Sequence, residues 1–355
     1  MEKKTRILVC PLDWGLGHAT RCVPIIRELI KQNAEVIIAA DNRALYFLEK
    51  EFPELQAIKF HGFNVRYASK GNMLLKMGLS VPGFLFNILK ENRKLKSIIH
   101  QHEIDGVISD NRFGLWNKRV PCIYLTHQVS IISPVLGTFI NKINRFFISN
   151  YTECWIPDNP GKENLSGKLS GRKNKPANAI FIGPLSRFNA VNIMDKPKKY
   201  DLAVILSGPE PQRTIFETKV IQELKQKALK AAIIKGVTEN DESYKIGNID
   251  IFSHLGSNEF QAIIEESEVI ISRPGYSTLM DLAVLNKKAV FVPTPGQTEQ
   301  EYLGKYLAGK GMGIYIKQEK FSLDSLFLND LKLNPVRLTS ISVLKERVSE
   351  FLRKC

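Results

Sequence analysis

At 355 residues, 44% of them hydrophobic, the chain exceeds one ordinary core and is too apolar for wholesale disorder, so two domains are expected. Its formal charge of +14 is uneven, since residues 1–185 hold 26 basic and 15 acidic side chains and so carry +11 of it. A basic half implies an anionic partner, whether nucleic acid, anionic lipid or a phosphorylated substrate, with plain solubility as the alternative.

Apolar strands alternate with amphipathic helices along the whole chain, the pattern of parallel sheets with helical crossovers. The first half reads "RILVC", a helix over 18–32, "EVIIAA", a helix over 43–50 and "LQAIKF". A long helical region with an expected break follows at 73–100, then "DGVIS", "CIYLT", a helix over 135–148, "CWIP" and "AIFIG". The polar stretch 160–178 reads as a loop or flap, and 183–200, with Pro184, Pro197 and three lysines, as an interdomain linker. The second half reads "DLAVIL", a helix over 214–228, "AAIIK", "IDIF", a helix over 257–266 and "EVIIS". A helix over 276–286, "KAVFV", a helix over 299–309 and "MGIYI" complete it. Both halves open as strand, glycine-containing loop and helix. Two such open sheets make a cleft, with ligands at the carboxyl ends of the strands.

No run approaches the ~20 apolar residues of a spanning helix. The opening "MEKKTRILVCPLD" has too short an apolar run for a signal peptide and is broken by Asp13. Five cysteines, at 10, 22, 122, 154 and 355, show no C-x-x-C spacing and read as reduced thiols. A cytoplasmic protein, or one bound at the cytoplasmic membrane face, is expected.

Three loops lie at strand ends and open helices. In "DWGLGHAT", 13–20, Gly15 and Gly17 let the backbone approach a ligand, and Thr20 stands where a dinucleotide fingerprint needs glycine. His18 would sit in the first helical turn, where the helix dipole disfavours the protonated ring and suits a neutral general base. The second loop is "SGPEPQR", 207–213, and the third is "SRPGYSTLMDLA", 272–283. Exposed N–H groups at helix starts, with Ser and Thr hydroxyls beside them, suit phosphate oxygens. The third continues one strand later as "VPTPGQTEQEYLGKYL", where Gln297, Glu299, Gln300 and Glu301 cluster at another helix start. Taken singly, each cluster can be simple capping. Together, three at the same sheet edges favour a ligand. No Walker motif, HExxH, paired D-x-D or G-x-S-x-G elbow is present, so neither metal catalysis nor a serine hydrolase is expected.

The block 271–307 resembles the donor-binding signature of two-domain (GT-B) glycosyltransferases, above all the MurG-like family, glycosyltransferase family 28. "GLGHATR" resembles that family's first glycine-rich loop ending in Gly-His, and "IGPLSR", 182–187, its Gly-x-Pro-x-Arg stretch. The resemblance implies an α/β GT-B fold: two Rossmann-like, doubly wound parallel-sheet domains facing each other across a cleft. It divides the chain into an acceptor-side domain over 1–183, a linker over 184–200, a nucleotide-sugar domain over 201–337 and a C-terminal helical segment over 338–355 that packs back on the first domain. It puts Asp281 on the ribose of a UDP-sugar and Gln300, with Glu301 in place of a second glutamine, on the sugar hydroxyls. Gln297 and Gly17 fall among the same nucleotide-sugar residues. Ser207, Gly208, Arg187, Gly275, Ser277 and Thr278 fall where the family binds the diphosphate, and Arg273 falls among the nucleotide-sugar residues of the same loop. Two stretches depart from the family: "LSGPEPQR" lacks its Gly-Gly-Ser form, and His127 stands where it has an acidic residue.

The expected reaction is a metal-independent transfer of a hexose or N-acetylhexosamine from a UDP-linked donor to a hydroxyl acceptor, lipid-linked in the fullest form of the reading. His18, oriented by Asp110 of "VISDNRFG", is the favoured base; Asp13 and His127 are rivals, and Asp110 has a helix N-cap as its plain alternative. A UDP-sugar hydrolase or 2-epimerase and a non-enzymatic binder of nucleic acid are the other readings. The last lacks any nucleic-acid motif or aromatic-studded basic strand. Residues 77–89, "MGLSVPGFLFNIL", carry no charge, and Lys90, Arg93, Lys94 and Lys96 follow. That pattern suits peripheral contact of 77–96 with an anionic membrane, or equally a helix buried against the first sheet.

Overall fold

The structure is a computed structural model that describes residues 3–62, 73–131, 137–170, 175–188, 197–237, 242–287, 289–326 and 342–355, without the side chains of 73–82, 325 and 342. Parts of the expected linker, of the 160–178 loop and of the 77–89 segment, and the boundary expected at 337, lie outside that description. The chain divides into two compact units. One comprises Met1–Gly161, Lys168–Gly183 and Ser340–Cys355, the other Lys162–Gly167 and Pro184–Thr339.

The first unit is built on seven parallel strands: β1 (Arg6–Pro11), β2 (Glu35–Ala40), β3 (Gln56–Lys59), β4 (Gly106–Asp110), β5 (Cys122–Leu125), β6 (Glu153–Ile156) and β7 (Ala179–Phe181). Their order is β3-β2-β1-β4-β5-β6-β7. Helices α1 (Leu16–Lys31), α2 (Asn42–Glu51), α3 (Met73–Gln101) and α4 (Gly137–Ile148) join them. The inner strands read as unbroken apolar runs because both faces are covered. Leu8, Val107, Tyr124 and Cys154 meet in one buried cluster, and each such side chain contributes about 1.5–3 kcal/mol on burial.

Where a break was expected, α3 runs continuously through Pro82 and Gly83. Its residues Ile88, Glu91, Asn92, Leu95 and Ile98 are buried at helical spacing. Packing of that stripe outweighs the ~3 kcal/mol that an interior proline costs a helix.

The second unit has strands β8 (Tyr200–Ile205), β9 (Ala231–Ile234), β10 (Ser243–Ile246), β11 (Ile249–Phe252), β12 (Ser267–Ser272), β13 (Ala289–Phe291) and β14 (Ile314–Tyr315). They lie in the order β10-β11-β9-β8-β12-β13-β14. Helices α5 (Gln212–Lys225), α6 (Ser257–Glu265), α7 (Tyr276–Val284) and α8 (Thr298–Ala308) complete it. All neighbours run parallel except β10, which pairs antiparallel with β11. The sequence reading missed β10, an edge strand whose "SYKI" is mostly exposed and carries no apolar run.

The last helix, α9 (Ser342–Leu352), belongs to the first unit and packs on α1. Gln32 donates to the Lys345 carbonyl at 3.0 Å, and the Ser349 hydroxyl donates to Gln32 Oε1 at 2.7 Å. Phe351 meets Trp155 edge to face, with ring centroids 6.0 Å apart. At the start of β4, a Cβ on Gly106 would stand 2.6 Å from Cys355 Sγ and 2.7 Å from Phe351 Cζ. A side chain there would force the tail's Phe351 and Cys355 side chains to shift.

Candidate active site

In each sheet the strand order reverses beside the unit's first strand, so consecutive connections leave toward opposite faces and open a crevice at the carboxyl ends. In the first unit that point lies between β1 and β4. The chain leaves β1, turns at Gly15 (φ 130°) and enters α1 directly, which sets His18 in the first turn and Arg21 one turn further on the same face. Asp110 closes β4 and caps no helix. His127 follows β5 by two residues. The Asn111 side-chain oxygen ties the two strand ends together, accepting from the Tyr124 hydroxyl at 3.1 Å and from the Thr126 hydroxyl at 3.3 Å.

These residues converge. His18 Nδ1 lies 3.1 Å from Asp110 Oδ1. Arg21, absent from the sequence reading, donates through Nε to Asp110 Oδ2 at 2.6 Å and through Nη2 to Oδ1, while its Nη1 lies 3.0 Å from His127 Nδ1. Asp110 is fully buried. Burial pushes its carboxyl up, but Arg21 and then His18 outweigh that and bring it down to about 2. Asp13, the third candidate base, turns toward α2 and accepts from Asn42 Nδ2 at 2.6 Å. Its carboxyl is raised by burial, against that hydrogen bond.

A cavity of about 170 Å³ opens beside this cluster. Leu12, Trp14, Phe84, Ile88, Phe113 and Ile131 supply most of its apolar wall, and Asn111 and Gln128 border it from the loops that carry Asp110 and His127. Helices α3 and α4 meet behind it through Phe84 and Phe147, whose ring centroids are 6.2 Å apart. Outward from there, Phe86 (64% exposed) and Leu89 on α3 and Phe139 and Phe146 (66% exposed) on α4 stand in solvent. Lys90, Arg93, Lys94 and Lys96 are exposed on the next turns of α3.

In the second unit the reversal lies between β8 and β12. Gly208 follows β8 with φ 102°, and a Cβ there would come within 3.0 Å of Thr294 Oγ1. That hydroxyl is buried and has no hydrogen-bond partner, as has Gln297 Oε1 at the start of α8. Gln300 accepts the Thr294 N–H at 2.8 Å, which fixes the loop before α8. Gly275 is the N-cap of α7 at φ −71°, a conformation open to any residue, and a Cβ there would meet nothing nearer than Thr278 Oγ1 at 3.9 Å. Neither backbone nor neighbours demand glycine, which leaves room for a ligand over the helix start.

Ser277 and Thr278 stand half-buried in that first turn, Ser207 half-buried after β8, and Glu301 half-buried in α8. Asp281, two turns into α7, is buried and accepts from the Ser186 hydroxyl at 2.6 Å; Arg187 Nε lies 3.7 Å from its other oxygen. Burial raises the Asp281 carboxyl to about 6, against Arg187 and Ser186. Arg187 itself lies over the Phe260 ring, 4.3 Å from the centroid. Arg273, expected among the nucleotide-sugar residues, has a fully buried side chain. It donates to the carbonyls of Val292, Pro293 and Gln212 and to Gln318 Oε1, and burial brings it down to about 10. Of the residues missed from sequence, Arg21 could have been found from its three-residue spacing after His18. Ser186 and Thr294 carried no signal apart from their loops.

Residues 204–351 match the Glycosyltransferase family 28 C-terminal domain. Over 93% of the chain and 92% of its partner, the sequence is 26% identical to a Rickettsia felis protein, the UDP-N-acetylglucosamine--N-acetylmuramyl-(pentapeptide) pyrophosphoryl-undecaprenol N-acetylglucosamine transferase. Two solved structures share the fold. MurG of Acinetobacter baumannii superposes with a TM-score of 0.56 at 15% identity, covering 99% of this chain and all of that one. The glycosyltransferase SnogD of Streptomyces nogalater gives 0.61 at 16% identity, covering 99% and 95%. Fold and sequence together make the chain a glycosyltransferase of the GT-B class. Within that class it resembles the MurG-like family, glycosyltransferase family 28, whose C-terminal domain residues 204–351 match.

Proposed function

We propose that the chain transfers a hexose or N-acetylhexosamine from a UDP-linked donor to the hydroxyl of a lipid-linked acceptor, without a metal ion. The observation that carries the donor half is the cradle at the second reversal point. Gly275 leaves the start of α7 open, and the buried Thr294 hydroxyl beside Gly208 lacks a partner. Diphosphate oxygens would satisfy that donor and the N–H groups of α7, whose dipole favours negative charge. Asp281 would accept the ribose hydroxyls, and the unpartnered Gln297 oxygen a sugar hydroxyl.

In the reaction, the acceptor oxygen bonds the anomeric carbon as the bond to UDP breaks, and the hydroxyl proton passes to His18. The leaving diphosphate gains charge, which preorganised N–H groups and Arg187 would stabilise in place of a cation. The apolar cavity bordered by Asn111 and Gln128 supports an acceptor with a hydrocarbon portion; its 170 Å³ compares with the ~150 Å³ of a cavity that takes up benzene. No helix among the described residues is long and apolar enough to cross a membrane. Contact with lipid would therefore come from the exposed faces of α3 and α4.

Calorimetry and product release test the reading together. Asp281→Ala should weaken UDP binding at least tenfold, since hydrogen bonds to a charged group contribute roughly 1.5–3 kcal/mol each. UDP release from a UDP-sugar should require a polyprenyl-linked acceptor and persist in EDTA. Release without any acceptor would make the chain a hydrolase, and loss in EDTA restored by magnesium would overturn the metal-free step.

A further inference from the structure

The buried guanidinium of Arg21 touches every titratable side chain of the first-unit cluster, and its chemistry constrains them. Guanidinium has five N–H donors and no acceptor, and it does not lose its proton. A ring nitrogen facing it can bond only through a lone pair. His127 Nδ1 lies 3.0 Å from Arg21 Nη1. That nitrogen must therefore be unprotonated, and the neutral ring carries its proton on Nε2. A second proton would set one N–H against another beside a fixed positive charge. His18 differs. Its Nδ1 lies 3.0 Å from Arg21 Nη2 but also 3.1 Å from Asp110 Oδ1. It can donate to the carboxylate, which leaves its Nε2 lone pair available.

We propose that Arg21 is a positioning residue that divides the roles of the two histidines: it holds His127 neutral with its proton on Nε2, as a hydrogen-bond donor, and leaves His18 as the base. The word "base" rests on the glycosyl-transfer reading; the proton positions do not. Arg21 is 2% exposed and His127 7%, so water does little to screen the pair.

The side chains within reach of the Arg21 guanidinium are His18 on α1, Asp110 at the end of β4 and His127 after β5. Its charge also reaches Cys22 of α1 and Tyr124 of β5, and Cys10 of β1 lies near Cys22. Asp110 is ionised throughout the neutral range, while burial holds the thiols of Cys10 and Cys22 and the phenol of Tyr124 protonated there. The two imidazoles are thus the members of this set whose proton positions are left to decide. A pH response of the cluster is theirs to give.

The proton positions are read directly from long-range nitrogen–proton NMR spectra of the full-length protein with ¹⁵N-labelled histidine, its six rings assigned with His18→Gln and His127→Gln. His127 should show a protonated Nε2 and an unprotonated Nδ1 from pH 5.5 to 9. In Arg21→Gln its protonation midpoint should rise by one unit or more, and the acid limb of the kcat/KM profile should move with it. Arg21→Lys, which keeps the charge but not the fork, should keep His127 neutral and recover only part of kcat. A wild-type His127 that is doubly protonated at neutral pH, or protonated on Nδ1, overturns the proposal even if no Arg21 variant folds. So does an Arg21→Gln protein that loses stability and activity while the His127 midpoint stays put. Turnover absent with every nucleotide sugar, with the proton positions as stated, would instead defeat the glycosyl-transfer reading.

Discussion

Two buried carboxylates are displaced in opposite directions, and the difference separates their tasks. Asp110 is held down at about 2 by Arg21 and His18 against burial. Its pairing stabilises the fold above the ordinary carboxylate range, and that stability is lost as pH falls from about 4 toward 2. Asp281 is raised to about 6 because burial prevails over Arg187 and Ser186. Between about 4 and 6 the folded protein keeps a proton that the unfolded chain has released, so stability falls as pH rises through that window. A residue that weakens the fold when ionised gains partners when ligand hydroxyls arrive. UDP affinity should accordingly rise about tenfold between pH 5 and 7.5 as Asp281 ionises. The UDP phosphate also titrates near 6, so the measurement is calorimetry on wild type and Asp281→Asn side by side. The variant should lose the Asp281 part of the slope; identical slopes would remove Asp281 from the ribose.

At the scale of elements, the return of α9 to the first sheet depends on one position. Gly106 has no room for a side chain against Phe351 and Cys355. Overpacking typically costs about 1–3 kcal/mol, so Gly106→Ala should lower the unfolding free energy from urea titration by that much, with a lower midpoint, and increase amide exchange along α9. An unchanged midpoint would mean the tail yields without loss. The parallel strands were legible from sequence because burial on both faces leaves continuous apolar runs such as "RILVC" and "DLAVIL". Edge strand β10 was not, since its exposed face needs no apolar run. The break expected within 73–100 is not there, because local propensity says nothing of the stripe that α3 buries. The candidate loops were legible from glycine and hydroxyl residues at strand ends. Pairing across 89 residues, as between Arg21 and Asp110, leaves no local trace, and Arg273 shows the converse: a basic residue in a ligand loop whose guanidinium turns inward.

At the scale of the molecule, charge and exposed apolar surface coincide. Residues 1–185 carry +11 of the +14, and the same unit exposes Leu85, Phe86 and Leu89 on α3 and Phe139, Ile143 and Phe146 on α4. The sequence allowed α3 to bury its apolar residues in full; among its described side chains Ile88, Leu95 and Ile98 are buried, while Leu85, Phe86 and Leu89 face solvent. Large exposed apolar patches on a monomer mark interaction sites, and a basic margin selects for anionic lipid. Each lysine or arginine near such a surface contributes about 1 kcal/mol, and side chains dipped into the interface add their buried area. Sedimentation with vesicles of stated composition at physiological salt provides the measurement. The protein should pellet with phosphatidylglycerol-containing vesicles, not with pure phosphatidylcholine, and should be released as ionic strength rises. Replacing Phe86 and Phe146 together by Ser should reduce partition at least tenfold while UDP affinity, on the proposed donor site in the other unit, stays unchanged. Equal partition to both vesicle types would leave the basic margin without a role, and none to either would mean that a lipid-linked acceptor reaches the site without the protein touching the bilayer.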